Sequence, residues 1–139
     1  MPAIFAEKSL ENKEIVMPKK FHLGDILSIT TGALVSPNHM EGIYQILNFM
    51  TGDNLFTHQL PRASRQCEPY LVKQLPWLSE ISAEDVNEKN WESWLAKKVE
   101  KYGEFHEITP IPTSEYKYQE PIKELQQMTS AKIVIIETD

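Results

Sequence analysis

Ser36-Pro-Asn-His-Met-Glu-Gly-Ile-Tyr-Gln-Ile-Leu-Asn-Phe-Met-Thr-Gly52 is the stretch on which the fold of this chain turns. Ser36 is suited to cap a helix and Pro37 to open it, and Met40, Ile43, Tyr44, Leu47 and Met50 recur at helical spacing to make one apolar face. Gly52 supplies the left-handed residue that stops it. A companion helix is expected just upstream, over about 23–31. There Leu23, Ile26, Leu27 and Thr30 keep the same spacing, and Gly32 stands in the same terminal place. The β-branched Ile29, Thr30 and Thr31 leave a strand as the competing reading. The two ends, Thr31-Gly32 and Thr51-Gly52, are two helix stops and not a repeat, because their flanks do not correspond.

Both segments lie in a low-charge block. Residues 21–77 carry only Asp25, Glu41, Asp53, Arg62, Arg65, Glu68 and Lys73, although the chain has 14 basic and 20 acidic residues. Such a block must be interior or interface, so it is the core-forming half. Beyond it, Pro61 and Pro69 predict a helix over about 61–68 and a separate turn or two through 69–74. Residues 79–90 read as an acidic linker with a capping signature at Ser82-Ala-Glu-Asp85. A helix over about 88–102 follows, with Trp91, Trp94, Leu95, Lys98, Val99 and Tyr102 on one face and Gly103 at its end. The two tryptophans read as core at that spacing, with a stacking role for a base or sugar as the alternative. A short strand is expected through Phe105, Ile108 and Ile111. A last helix starts at Pro121 and presents Ile122, Leu125 and Met128. Lys132-Ile-Val-Ile-Ile-Glu137 reads as a strand buried on both faces. Residues 1–20 form a lead-in with a possible strand at 14–17. The expected fold is α+β: a mostly helical single domain over 21–139, with a small sheet and a buried C-terminal strand, its second half spanning 91–139.

Size and composition narrow the function. A chain of 139 residues can bury a sizeable core without metal or disulfide. The net charge of −6 argues against general attraction to nucleic acid or anionic lipid. Cys67 is the single cysteine, which suits a reducing cytoplasm, and it reads as a small buried apolar residue rather than a thiolate. No apolar run approaches the ~20 residues of a membrane span, and the start of the chain lacks a secretory signal. No metal-binding spacing of His, Cys or Glu occurs, nor a serine nucleophile elbow or a glycine-rich phosphate loop. No metal and no cofactor is therefore expected.

One polar run stands out, because loops carry binding and chemistry disproportionately. Between two apolar stretches it gathers Thr51, Gly52, Asp53, Asn54, Thr57, His58, Gln59 and Arg62, with Arg65 one helical turn further on. Gly52 and Asp53 could aim backbone N–H groups outward, and Arg62 and Arg65 at a helix start could hold one phosphate or carboxylate. A phosphate-bearing, nucleotide-like ligand is the chemistry this would suit. His58, with Asp53 to orient it, is the weak candidate for acid–base catalysis. Against that stands a structural reading: Asp53 and Thr57 cap, Arg62 pairs with Asp53 or Glu68, and His58 holds the loop by one hydrogen bond. Tyr116 and Tyr118, in the polar stretch 113–120, are expected to be exposed and to mark a partner surface.

The runs Phe21-His-Leu-Gly-Asp-Ile-Leu-Ser-Ile-Thr-Thr-Gly32 and Leu47-Asn-Phe-Met-Thr-Gly-Asp-Asn-Leu-Phe-Thr-His-Gln-Leu-Pro-Arg62 resemble an uncharacterised family of small proteins from tailed phages and prophages. Tyr102-Gly-Glu104 and Pro121-Ile-Lys-Glu-Leu125 extend the resemblance to about residues 20–137. The resemblance implies a protein acting on host pathways, counter-defence among them, and supplies no mechanism. The expectation is thus a non-catalytic, cytoplasmic accessory protein that binds a host protein. A small-molecule binder or nucleotide-handling enzyme built on residues 51–65 is the alternative, and a structural phage component ranks last.

Overall fold

Two glycines decide how the first helices meet. Helix α1 (Leu23–Thr31) is capped by His22, whose Nδ1 accepts the Gly24 N–H at 2.9 Å, and it ends on Gly32 in the left-handed region at φ 80°. The helical reading of this segment holds over the strand. Helix α2 (His39–Thr51) begins later than Ser36-Pro37 would place it. Ser36 is no cap: it is buried, and its hydroxyl donates to Asp25 Oδ1 at 2.5 Å while accepting the Asn38 N–H. A Cβ on Gly42 would collide with both Asp25 Oδ1 and Ser36 Oγ, and one on Gly24 would lie 2.6 Å from the Val35 carbonyl oxygen. The missing side chains let the 33–38 loop and α2 close onto α1 around a buried polar pair. With α2 so placed, Ile43, Ile46, Leu47 and Met50 turn inward and Met40 stays outside at 43% exposure, contrary to its expected place on the apolar face.

The structure, a computed structural model, describes residues 17–128. A single 3-10 turn (Thr57–Gln59) leads into α3 (Leu60–Gln74), which runs unbroken through Pro69 where two pieces were expected. Pro69 and Arg65 are both exposed, so the carbonyl that the proline leaves without an N–H partner lies on the solvent side and the kink penalty is relieved there. A second 3-10 turn (Pro76–Glu80) opens the acidic connection to α4 (Trp91–Tyr102), which stops at Gly103, φ 101°. The Ser82–Asp85 signature starts no helix; Ser82 Oγ accepts the Glu84 N–H within a turn.

Strand β1 (Lys19–His22) pairs antiparallel with β2 (Phe105–Ile108), Phe21 opposite His106. The first described strand follows Pro18 and Met17 lies outside it; the rest of the strand expected at 14–17 lies outside the described residues. Helix α5 covers 121–128, opened by Glu120, whose carboxylate accepts the Ile122 and Lys123 N–H groups. The expected strand at 132–137 lies outside the described residues. The fold is α+β, helical with a small two-stranded sheet.

Core side chains from α1, α2 and α3 interlock, with Leu23, Ile26, Leu27, Ile46, Leu47, Met50 and Leu71 fully buried. Leu95, Ile108 and Ile111 complete the core from the second half. Trp91 and Trp94 are half-buried against it, and Trp77 stacks on Tyr102 at 4.4 Å between ring centres. Among the described residues no helix is long and apolar enough to cross a membrane.

Candidate functional site

The polar run from Thr51 to Arg65 is a clasp for a distant part of the chain. After β2 the backbone returns along α3 from its end to its start, and three glutamines receive it in turn. Gln74 accepts the Thr109 N–H at 2.8 Å and donates to the Thr109 carbonyl at 3.1 Å. Gln66 does the same for Lys117, both bonds at 3.2 Å. Gln59, fully buried, donates to the Gln119 carbonyl and to Glu124 Oε1 while its Oε1 accepts the Phe56 N–H. The Gln74 and Gln66 amides offer a donor and an acceptor side by side, so each pairs with backbone as a neighbouring strand would. Tyr70 adds a hydrogen bond to Glu115 at 2.5 Å.

Arg62 closes this strap (residues 109–128). Its Nε and Nη2 donate to Glu124 Oε2 and Oε1 at 3.3 and 3.0 Å, a forked pair in which both side chains are about nine-tenths buried. Nη1 donates to the Tyr116 hydroxyl at 2.7 Å, and that hydroxyl donates onward to Asp53 Oδ2 at 2.9 Å. The guanidinium also lies over the Tyr116 ring. Burial alone would raise the Glu124 pKa, but the hydrogen bonds from Arg62 and Gln59 outweigh it and hold the carboxyl below its ordinary value. Burial likewise opposes the guanidinium charge, and Glu124 and Tyr116 overcome it, so Arg62 is held charged. For Tyr116, burial dominates and raises the phenol.

The expected site residues are therefore divided. Thr51 and Gly52 line a groove of about 600 Å³ with Pro110, Ile111 and Pro112. The outward N–H groups foreseen there are consumed: the Gly52 N–H bonds to the Asn48 carbonyl, and the Asp53 N–H to Thr51 Oγ1. His58, Arg62 and Arg65 do share a cleft, of about 240 Å³, but Glu124 stands in it. Asp53 is turned to Tyr116 and does not orient His58. His58 Nε2 meets the Pro121 carbonyl at 2.9 Å, and since a carbonyl only accepts, that nitrogen carries the proton. The ring stacks on Phe56. Thr57 is hydrogen-bonded to Tyr44 and does not cap. Arg65 is exposed and makes no hydrogen bond or ion pair among the described residues.

Tyr116 is half-buried inside the clasp, not a surface marker, whereas Tyr118 is 60% exposed. Helix α5 inverts its expected orientation. It turns Glu124 inward and leaves Ile122 and Met128 outside, because the buried guanidinium demands a carboxylate more strongly than the core demands another aliphatic. Cys67 is buried, and burial pushes its thiol up to about 12 despite the nearby Arg62. Glu124, Gln66 and Gln74 lie outside the polar run that the sequence singles out. The one signal in the sequence is the recurrence of Gln59, Gln66 and Gln74 about every two helical turns, from the end of the 3-10 turn through α3.

No curated protein and no solved structure matches the chain. All of the buried apolar core except Leu95, Ile108 and Ile111 lies within residues 21–81, as do Arg62 and all three glutamines, and it is this segment that matches the model described as Domain of unknown function (DUF7736).

Proposed function

We propose that this protein is a non-catalytic binding protein, a phage-type accessory or counter-defence factor that acts in the cytoplasm of a bacterial host by occupying a host protein. The observation that carries this reading is the commitment of the polar run to the chain's own strap. Each of the three guanidinium nitrogens of Arg62 already donates to Glu124 or Tyr116. With Glu124 and Asp53 beside Arg62 and Arg65, the formal charges cancel, so a phosphate gains no net attraction there. His58 is held by a backbone carbonyl, and among the described residues no carboxylate is hydrogen-bonded to it. What the surface does display is large apolar side chains, among them Leu34, Met40, Phe56 and Tyr118. Such groups mark protein interfaces more often than catalytic sites.

Native mass spectrometry of the chain recovered gently from host extract tests this. A protein-sized adduct is expected. An adduct of a few hundred daltons that disappears in Arg62→Ala, or a bare chain, would overturn the reading.

A further inference from the structure

Two clefts meet at Leu34. One, of about 350 Å³, lies between α1, α2 and the start of α3, with Ile29, Ile43 and Leu60 within and Met40 at its rim. The other, of about 360 Å³, runs from the 33–39 loop to the start of α4, walled by Ala33, Leu34, Val86, His39 and Trp91 and edged by Glu88. The His39 and Trp91 rings stand nearly perpendicular, 6.0 Å between centres. Leu34 is 46% exposed and joins the two into one apolar trough. The trough offers few hydrogen-bonding groups. Asn87, at its edge, already spends its side-chain oxygen on the Lys89 and Asn90 N–H groups. Apolar burial must therefore supply affinity, and charge must supply discrimination.

The charge at one end is lopsided. Glu80, Glu84, Asp85, Glu88 and Glu92 are all exposed, with only Lys89 among them, and none forms an ion pair among the described residues. Glu92 lies in the first turn of α4 and Glu41 in that of α2, where they answer the helix dipoles. Glu88, at the edge of the Trp91 cleft, and Glu84 and Asp85, a few residues before it in the chain, are left in excess. The whole chain, at −6, carries the same sign. Building on the partner-binding reading above, we propose that this trough receives a basic amphipathic segment of a partner protein. Its apolar residues seat against Leu34, Met40 and Ile43, and its Lys or Arg side chains reach Glu84, Asp85 and Glu88 along the face of Trp91. An aliphatic stem on the indole with its cationic head among carboxylates satisfies both halves of the site. Met40, unbranched, adapts to the residue it meets.

The test uses the full chain and two labelled helical peptides of equal length, one of Leu and Lys, the other of Leu and Glu, followed by fluorescence anisotropy. Saturable binding of the Leu/Lys peptide at least tenfold tighter than its counterpart is expected. Leu34→Asp should weaken it more than tenfold, and Glu84→Lys/Glu88→Lys should abolish the preference. Glu68→Lys/Glu100→Lys, the same charge change on other exposed positions, should leave it nearly unchanged. Equal affinity for the two peptides, or an equal loss in the control pair, overturns the proposal. So does a dimer seen by light scattering that Leu34→Asp dissolves, which would make a second copy the occupant. If the peptides fail while the extract still yields a protein adduct indifferent to Leu34→Asp, this groove is refuted and the partner-binding reading stands.

Discussion

Arg62→Met separates a clasp from a ligand site. Methionine keeps most of the apolar stem and deletes the guanidinium, removing two bonds to Glu124 and one to Tyr116. Glu124 is then left with the Gln59 amide alone, its side chain 7% exposed. Breaking a buried pair by removing one partner costs about 3–5 kcal/mol. The domain need not bear all of that. Apart from Glu124, α5 has no buried residue, so the cheaper response is for the strap to lift and return the carboxylate to water. A cost of about 3 kcal/mol shifts the docked–lifted equilibrium by roughly a hundredfold, at about 1.4 kcal/mol per decade. Hydrogen exchange read by mass spectrometry should show amides of 113–128 exchanging up to ~100-fold faster, with α1 and α2 protected as before. Trypsin should cut sooner at Lys117 and Lys123, both exposed on the strap. Unchanged strap protection with an unchanged melting temperature would refute the clasp and restore Arg62 to a ligand.

Three further outcomes follow from the same geometry. Glu124 has a folded pKa below its unfolded value, so its stabilisation is complete above about pH 4.3 and is lost as pH falls through the lower folded value. Strap amides should lose protection, measured against the intrinsic exchange rate at each pH, over that acidic window in the parent but much less in Glu124→Gln, and a parallel response in both would sink the assignment. Gly42→Ala forces a methyl group into the Asp25–Ser36 pair and should cost about 1–3 kcal/mol in denaturant unfolding, whereas helix propensity alone would make it stabilising by about 1 kcal/mol. A gain in stability would show that the pair has room to move. Cys67, with its thiol raised to about 12, should resist an aromatic disulfide reagent at pH 8 in the native chain and react on unfolding; rapid native labelling would contradict its burial.

How much of this could be read in advance depends on sequence separation. Helices α1 and α2 were legible because their signals are local: aliphatic residues every three or four positions and a glycine at each end. The start of α2 was misplaced because Ser36 has two uses for its hydroxyl, and a cap is only the local one. Its actual partner, Asp25, lies eleven residues back and is reached only because Gly42 has no side chain. Pro69 suggested a break because the rule for interior prolines weighs the lost hydrogen bond without knowing which face is wet. The unusual polarity of residues 51–65 is visible in the sequence, but the partners of Asp53, Gln59 and Arg62 lie more than fifty positions away. Arg62 meets Tyr116 and Glu124 at separations of 54 and 62. No window of helical or strand length joins such pairs, and the amphipathic pattern of 121–128 pointed the wrong way, since Ile122 and Met128 advertise a core face that the buried guanidinium overrules.

The energetics divide where the chain divides. Within residues 21–81 the helices are held by aliphatic burial, which is non-directional and tolerates small shifts. Past Ile111, which anchors its start in the core, the strap is held to α3 by amide pairs and one forked ion pair, which are directional and fail once geometry slips. A unit joined mainly by polar contacts opens locally at lower free energy than the core it rests on. Substitutions at Arg62, Glu124 or Gln59 will therefore be felt first in the strap, and a loss of partner binding in them does not locate the interface. Leu34, Glu84 and Glu88 lie outside the clasp, exposed and off the strap. A variant there that fails to bind while the strap keeps its exchange protection has lost contact with its partner and not its fold, and that pairing of measurements distinguishes a docking surface from a structural one.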